Sequence, residues 1–422
     1  MSKLVALGLL AALTFAFGCG GSSSGSSTLS GGGGNSNTPN SVTMTVDGGP
    51  TGIAPGYVDA GFVSVEVCVP GTSTCQTIDH VLVDTGSSGL RILKSGTVPL
   101  GLNLPQESNF VECFQFVTSF TWGPVMLADV KLAGETASNI PVQVIGESNT
   151  GFPTIPTACQ NSCATPGCSA DTLQTLGANG LIGVSPFIQD CGSGCASAST
   201  ASSIGLYYSC PTSSSCATTA VALSQQVPNP VSAFTTDNNG VVIQMPSVAA
   251  SGQSTASGTL IFGIGTQSNN ALGSATIFRL DPFGNFTTVY NGQQYPGSFV
   301  DSGSNGIFFL DTALTSMSDT NCGQTNGVWY CPASTTNFAT TNQGTSGSEA
   351  VNFSAANANT LFSGVNTAFN DLTGPNPTCF QASGPSQPCF DWGLTFFFGR
   401  TVFTAIEGAN VSGVGAGPFL AY

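Results

Sequence analysis

Histidine and basic residues are almost missing from this sequence of 422 residues. It has one histidine, His80, and six Lys+Arg against 21 Asp+Glu, a formal net charge of −15 at pH 7. A nucleic-acid surface or a polybasic membrane patch needs many basic side chains, so the composition argues against both. A metal site of several histidines is impossible, and a Ser–His–Asp or Cys–His enzyme would have to use His80. If the protein is an enzyme, we expect carboxylates to transfer the protons, with no cofactor and no metal.

The first residues are typical of an export signal. Residues 1–18 place a lysine before an apolar stretch that is too short for a membrane-spanning helix. Cys19 follows directly, as in bacterial lipoprotein signals, and predicts lipidation there; the alternative is ordinary cleavage and a freely secreted product. Residues 19–41 are a Gly/Ser-rich tether. We therefore expect an exported protein, lipid-anchored to the cell envelope (outer membrane or surface) or secreted.

The cysteines fit an oxidising location. Setting Cys19 aside from the fifteen cysteines leaves an even number, which predicts disulfides in an exported chain. Spacing favours three local pairs: Cys68/Cys75, Cys322/Cys331 and Cys379/Cys389. The group between residues 159 and 216 leaves its pairing open, and a zinc cluster is the alternative for that group.

Strand patterns predominate after the tether. Segments such as FVSVEVCV (62–69) alternate apolar and polar residues, and Gly, Pro, Asn or Ser bounds each of them. Residues 153–225 are instead rich in Cys, Ser and Thr and predict an insert stapled by disulfides. The fold class predicted is all-β.

One motif occurs twice. Residues 81–93 read VLVDTGSSGLRIL and residues 298–310 read SFVDSGSNGIFFL. A bare Asp-[Ser/Thr]-Gly would mean little in so Ser- and Gly-rich a chain, but the extended form, flanked by apolar residues, occurs nowhere else. The repeat predicts two halves that are built alike. The alternative is a duplicated strand and turn without chemistry.

The repeated motif offers the residues that a pair of catalytic acids needs. Asp84 and Asp301 each end a buried strand, and two such carboxylates face to face hold one proton between them. The ionised acid can then take a proton from water while its neighbour polarises a carbonyl, which hydrolyses an amide without histidine. Glycine allows close backbone approach, and the hydroxyls can bond the other loop or the outer carboxylate oxygens. We expect the following residues to support the dyad: Thr85, Gly86, Ser87, Ser302, Gly303 and Ser304.

With these residues, the sequence resembles the pepsin-like aspartic peptidases from about residue 56 to 422, and most closely uncharacterised exported bacterial members. GLIGVSPF (180–187) and DWGLTFFFGRTVFTAIEG (391–408) are similar to the strands that cross the two Asp loops in that family. The resemblance implies two pseudo-symmetric lobes of the pepsin-like acid protease fold, with a central cleft and disulfide-stapled insertions. It places the N-terminal lobe at residues 42–268 and the C-terminal lobe at 269–422.

Two positions depart from the family pattern. The family covers its dyad with a hairpin flap that carries Tyr-Gly, and here Trp122-Gly123 occupies that position. Arg91 replaces a tryptophan that normally contacts the flap tyrosine. The hypothesis is that Arg91 contacts Trp122 as a cation–π pair within about 6 Å; simple packing of Trp122 at a hairpin edge is the alternative.

The resemblance implies an aspartic endopeptidase with Asp84 and Asp301 as the dyad, acting as a monomer on an extended polypeptide. Bulky apolar residues are expected on both sides of the scissile bond. The scarcity of basic residues, at most seven positive side chains, favours tolerance of acid. The main alternative is a catalytically inactive binding protein or inhibitor of the same fold on the cell surface, and a further one is a purely structural or surface-display role.

Overall fold

The computed structural model describes residues 40–53, 57–116, 118–146, 151–162, 168–317, 329–376 and 390–422. The predicted export signal, Cys19 and nearly all of the predicted tether lie outside the described residues. So do Cys163, Cys322, Cys379 and Cys389.

Strands are the main regular structure of the described residues and the helices there are few and short, which confirms the all-β prediction. The first half contains β1 (Ser41–Val46), β2 (Gly61–Cys68), β3 (Cys75–Asp84), β4 (Ser88–Leu93), β5 (Gln106–Gln115), β6 (Phe120–Leu132), β7 (Glu135–Ile145), β8 (Gly180–Val184), β9 (Tyr207–Thr212), β10 (Ser215–Thr218), β11 (Gly240–Gln244) and β12 (Ala256–Phe262). The second half contains β13 (Ile277–Arg279), β14 (Phe286–Tyr290), β15 (Gln293–Val300), β16 (Ile307–Phe309), β17 (Thr336–Gln343), β18 (Ser348–Ala355), β19 (Thr373–Gly374), β20 (Phe390–Trp392), β21 (Thr401–Ala405), β22 (Asn410–Val411), β23 (Gly415–Ala416) and β24 (Phe419–Ala421).

Helices in the described residues are short. The α-helices are α1 (Thr157–Gln160), α2 (Leu173–Leu176), α3 (Ser193–Ala196), α4 (Ala198–Ile204), α5 (Thr312–Thr315), α6 (Ala358–Leu361) and α7 (Leu394–Phe397), and 3₁₀ turns occupy Leu223–Gln225 and Pro230–Ala233. None of the helices in the described part of the chain is long and apolar enough to cross a membrane.

Two sheets hold nearly all the strands. The larger runs in the order β10-β9-β5-β6-β7-β4-β8-β3-β2-β1-β12-β11-β21-β24-β13, so strands from the second half complete a sheet that the first half begins. The smaller, β18-β17-β14-β15-β20-β16-β19, comes entirely from the second half. The division into lobes at residues 268 and 269 stays a prediction.

The strands beside the two Asp loops are buried at every position of β4, β8, β16 and β20. Strands covered on both faces favour continuous apolar runs, as in β8 and β16, whereas β4 and β20 each carry one buried charged residue, Arg91 and Asp391. One hydrophobic core includes residues of both copies of the motif: Val83, Leu90, Ile182, Val300, Ile307 and Trp392. Burial of each such side chain contributes about 1.5–3 kcal/mol, so this shared core holds the two loops together.

Disulfides staple the Cys-rich insert, as predicted. Cys113 is bonded to Cys159, Cys191 to Cys195 and Cys210 to Cys216, and the predicted Cys68–Cys75 pair is present. Cys168 and Cys331 are also disulfide-bonded. The zinc alternative is therefore wrong for the described cysteines of this group, because their thiols are used in disulfides.

Candidate active site

The two copies of the motif fold into the same strand arrangement. In the first, β3 ends at Asp84 and runs parallel to β8, and β4 returns antiparallel to β8. In the second, β15 leads to Asp301 and runs parallel to β20, and β16 returns antiparallel to β20. The predicted crossing strands, within 180–187 and 391–408, are thus confirmed as neighbours of the Asp loops.

Reciprocal hydrogen bonds join the two loops. The backbone N–H of Thr85 donates to Ser302 Oγ at 3.1 Å, and the N–H of Ser302 donates to Thr85 Oγ1 at 2.9 Å. Each hydroxyl then donates across to a strand end, Ser302 to the Val83 carbonyl at 2.8 Å and Thr85 to the Val300 carbonyl at 3.3 Å. These bonds are buried, so they fix the relative position of the loops.

Each carboxylate is held by the glycine and serine that follow it. Gly86 N–H donates to Asp84 Oδ1 at 2.7 Å, and the Ser87 hydroxyl donates to Asp84 Oδ2. In the second loop, Gly303 N–H donates to Asp301 Oδ1 at 2.8 Å and the Ser304 hydroxyl donates to Asp301 Oδ2 at 3.1 Å. All six residues predicted to support the dyad therefore bond either a carboxylate or the opposite loop.

The two carboxyl groups meet. A hydrogen bond joins the Asp84 and Asp301 side chains, and both residues are fully buried. A Cβ atom placed on Gly86 would lie only 2.6 Å from Cγ of Asp301. Position 86 must therefore be glycine for the second carboxyl group to reach the first.

The surroundings of the two acids shift their pKa values by different amounts. Burial raises the pKa of Asp84, while hydrogen bonds from Asp301, Ser87 and Gly86 and the positive charge of Arg91 oppose that rise. Burial also raises the pKa of Asp301, well above its ordinary value, and the negative charge of Asp84 raises it further. Two carboxyls this close hold one proton between them, and these directions favour that proton on Asp301.

A third carboxyl group, that of Asp391, lies behind Asp301, and the sequence prediction missed it. Ser304 Oγ lies 2.6 Å from Asp391 Oδ2 while it also donates to Asp301. The sequence did carry a signal, because Asp391 begins the segment 391–408 that is similar to the strand crossing the second Asp loop.

Arg91 does not contact Trp122, so the proposed cation–π pair between them is wrong. The guanidinium of Arg91 lies 3.5 Å from the ring centroid of Phe114. It pairs with Glu112 at 2.8 Å and Asp190 at 3.4 Å, and all three charged side chains are buried. The carboxylates attract the guanidinium more strongly than an aromatic face does, which explains the different partner.

Trp122-Gly123 does not form a flap tip, which corrects the second expectation. Both residues lie inside β6, where Trp122 pairs with Cys113 of β5. The indole is fully buried against Tyr208, and its N–H donates to the Phe152 carbonyl at 2.9 Å. The tryptophan packs in the interior, as the alternative held, and is not available to close a cleft.

His80 takes no part in the dyad. Its ring nitrogens each lie 3.5 Å from a carboxylate, one of Asp47 and the other of Asp79. The hydrogen bond with Asp47 raises the pKa of His80, so the imidazole acts as a partner in an ion pair within its own half. A histidine-dependent triad is therefore not the chemistry of this site.

Comparisons with protein families and with solved structures both match most of the chain. A family model described as "Protein of unknown function (DUF3443)" matches residues 36–422. Among solved structures, the chain is similar to the crystal structure of an aspartic proteinase from Irpex lacteus, with 15% sequence identity and a TM-score of 0.48. That alignment covers 90% of this chain and 96% of the other. The search of curated proteins finds no match.

Proposed function

The chain belongs to the family "Protein of unknown function (DUF3443)", and we propose that it is an aspartic-type endopeptidase whose dyad is Asp84 and Asp301. The observation that carries the proposal is the meeting of these two buried carboxyls, each held by a glycine N–H and a serine hydroxyl. Buried acids are costly to a fold unless their protons are used or shared. If these two side chains had only a structural role, uncharged amide side chains at both positions could hydrogen-bond the same partners.

The chemistry follows from one shared proton. Asp84, the acid whose pKa is raised less, acts as the base and takes a proton from a water molecule as its oxygen attacks the peptide carbonyl carbon. Asp301 gives its proton to the carbonyl oxygen, so the tetrahedral intermediate is a neutral diol. The C–N bond then breaks, the amine leaves with the proton held by Asp84, and the hydroxyl proton returns to Asp301. No covalent enzyme intermediate forms, and no cofactor takes part.

The substrate that we propose is a polypeptide in an extended conformation. The dyad stands at the ends of two strands from different halves, so a chain crossing it would meet backbone from both. We retain the expectation of bulky apolar side chains on both sides of the scissile bond and of a monomeric protein.

A digest of a peptide library across acidic to neutral pH tests the proposal. We expect cleavage that a statine-type inhibitor blocks and that Asp84→Asn and Asp301→Asn each abolish. Both variants keep the side-chain volume, and Asp371→Asn, a buried acid of the second half, is a matched control that should still cleave. Cleavage that survives in either dyad variant would contradict the proposal.

An inactive binding protein or inhibitor of the same fold is the second candidate. The observation that favours it is the burial of Trp122 inside β6, because the residue expected to close the cleft is used elsewhere. Tight binding of a peptide or peptidase, unchanged in Asp84→Asn and Asp301→Asn and without product, would favour this candidate.

We also propose that the protein is exported and lipid-anchored through Cys19. The support is the apolar export signal, the Gly/Ser-rich tether in the sequence and the disulfides of the described part. Fatty-acid labelling of the wild type, lost in Cys19→Ala, is the expected result. Labelling that persists in the variant, or release of the wild type into the medium, would contradict the anchor.

A further inference from the structure

The duplicated strands allow each residue around the dyad to be matched with its counterpart. In the first copy, Arg91 of β4 pairs with Leu181 of β8. In the second copy, the corresponding pair is Phe308 of β16 and Asp391 of β20. The two copies therefore differ in charge at matched places: a cation stands beside the first loop and an acid beside the second.

The strand pleat directs Asp391 toward the loop of Asp301. Its neighbours Phe390 and Trp392 belong to the aromatic core, and successive side chains of a strand point to opposite faces. Asp391 is 5% exposed, and its Oδ2 lies 2.6 Å from Ser304 Oγ. Its other oxygen, Oδ1, is buried and has no hydrogen-bond partner among the described residues. This acid has no structural bond that explains its burial, apart from the one with Ser304.

Ser304 connects the third acid to the dyad. Its hydroxyl has one hydrogen and two carboxylate oxygens within reach, of Asp301 and Asp391. If both were ionised, one would lose that hydrogen and two like charges would lie on either side of one oxygen. A proton on one of the two acids removes this conflict.

Arg91 acts from the other side. Its guanidinium donates to the Ser88 carbonyl at 2.8 Å, within the first loop, and its positive charge favours the ionised form of Asp84. Glu112 and Asp190 pair with the same guanidinium and offset part of its field at Asp84. A positive group beside one acid and a negative group beside the other still make the dyad unequal, although the two loops are otherwise alike.

We propose that Asp391 is a positioning residue that, through Ser304, keeps the shared proton of the dyad on Asp301, while Arg91 keeps the negative charge on Asp84. The inference rests on the proposed function only in that it concerns the same two carboxyls. It assigns their unequal roles to residues that the two copies do not share: Arg91, where the second copy has Phe308, and Asp391, which lies outside the motif. The charge of Asp391 would also raise the upper pH limit at which the dyad still holds its shared proton.

The charges around Asp391 and Asp301 favour a proton on Asp301. Burial raises the pKa of Asp391 well above its ordinary value, and the charge of Asp84 adds to the rise. The charge of Asp391 in turn raises the pKa of Asp301. On the adjoining strand β15, Tyr295 contacts only the neighbouring ring of Phe390 among the described ring pairs.

The test is a carboxyl titration that does not depend on cleavage. Protein labelled with ¹³C at the aspartate carboxyl carbon is followed by NMR from about pH 3 to about pH 8. In the wild type, Asp301 should lose its proton last among Asp84, Asp391 and Asp301. In Asp391→Asn, the Asp301 titration should move about one pH unit toward acid, because a like charge is removed.

Two further variants keep the result interpretable. Asp391→Leu copies the matched residue Leu181 and should shift the titration of Asp301 in the same direction, so a folding defect of one variant does not end the test. Asp371→Asn, outside the Asp301–Ser304–Asp391 chain of hydrogen bonds, should leave that titration unchanged. An unmoved Asp301 titration in both Asp391 variants, or a wild type in which Asp301 ionises before Asp391, would overturn the inference.

Activity provides an independent reading. The high-pH limb of kcat/KM should move with the Asp301 titration, giving about a tenfold lower kcat/KM above that limb and an unchanged plateau in acid. A shifted titration in a protein that cleaves nothing would reject the proposed function and leave this inference standing. Cleavage with an unshifted limb in the Asp391 variants would reject this inference alone.

Discussion

The reciprocal bonds between the two Asp loops make a quantitative prediction about Ser302→Ala. The hydroxyl of Ser302 accepts from the Thr85 N–H at 3.1 Å and donates to the Val83 carbonyl at 2.8 Å, and the substitution removes both bonds. The two backbone groups left without a partner are buried, and each costs about 1–3 kcal/mol. We therefore expect Ser302→Ala to lower the free energy of unfolding by about 2–6 kcal/mol.

Equilibrium denaturation by urea, with the disulfides intact, measures this change as a shift of the midpoint at constant slope. The matched control is Ser302→Thr, which keeps the hydroxyl and copies the residue at the corresponding position, Thr85. Because threonine keeps both bonds, this variant should lower the free energy of unfolding by less than Ser302→Ala does. A Ser302→Ala protein within about 0.5 kcal/mol of the wild type would refute the argument that these bonds hold the loops together.

Three further predictions concern sites that have been described. Gly86→Ala should abolish activity, because the added Cβ would lie 2.6 Å from a dyad carboxyl carbon, while Gly364→Ala, with nothing within 4 Å, should retain it. Arg91→Met should lower the free energy of unfolding by about 3–5 kcal/mol, since it leaves a buried carboxylate without its partner. Lys131→Met, which breaks a partly exposed ion pair, should cost less than about 1 kcal/mol in the same denaturation assay. The melting temperature should rise as the pH falls from neutral toward about 4, and Asp59→Asn should reduce that rise.

The sign of the acid prediction follows from the buried carboxyls. Burial raises the pKa of Asp59 well above its ordinary value, against the opposing bonds from Phe369 N–H and the Thr395 hydroxyl. A carboxyl whose pKa is higher in the folded state contributes stability that is fully present below the pKa of the unfolded chain. That contribution is lost as the pH rises through the folded value. A melting temperature that falls steadily from neutral pH into acid would contradict this account.

The dyad could be predicted from the sequence because its residues lie in one short motif and because that motif occurs twice. Each copy carries its own strand, acid, glycine and hydroxyls, and the same local rules fold both copies alike. The hydroxyls of Thr85 and Ser302 were expected to cross-link the loops, and the structure places them there.

The errors share a different physical origin. Trp122 and Arg91 were assigned by their place in a family pattern, but distant residues decide where a long side chain goes. Asp190 lies far along the chain and supplies part of the carboxylate field that draws Arg91 away from the indole. Asp391 was missed because its meaning depends on the register of β20 beside the loop of Asp301, which the motif itself does not contain.

The mixed origin of the larger sheet determines when the protein can become complete. β11, residues 240–244, meets β12 soon after synthesis, but its other neighbour, β21, lies at residues 401–405. β20, the strand that supports the loop of Asp301, comes from residues 390–392. A nascent polypeptide therefore has an open sheet edge and an unfinished acid pair, and pairings so distant in sequence form slowly. This order of assembly leaves the acid pair incomplete until nearly all of the chain has been made, so the two halves must come together before the pair can share a proton.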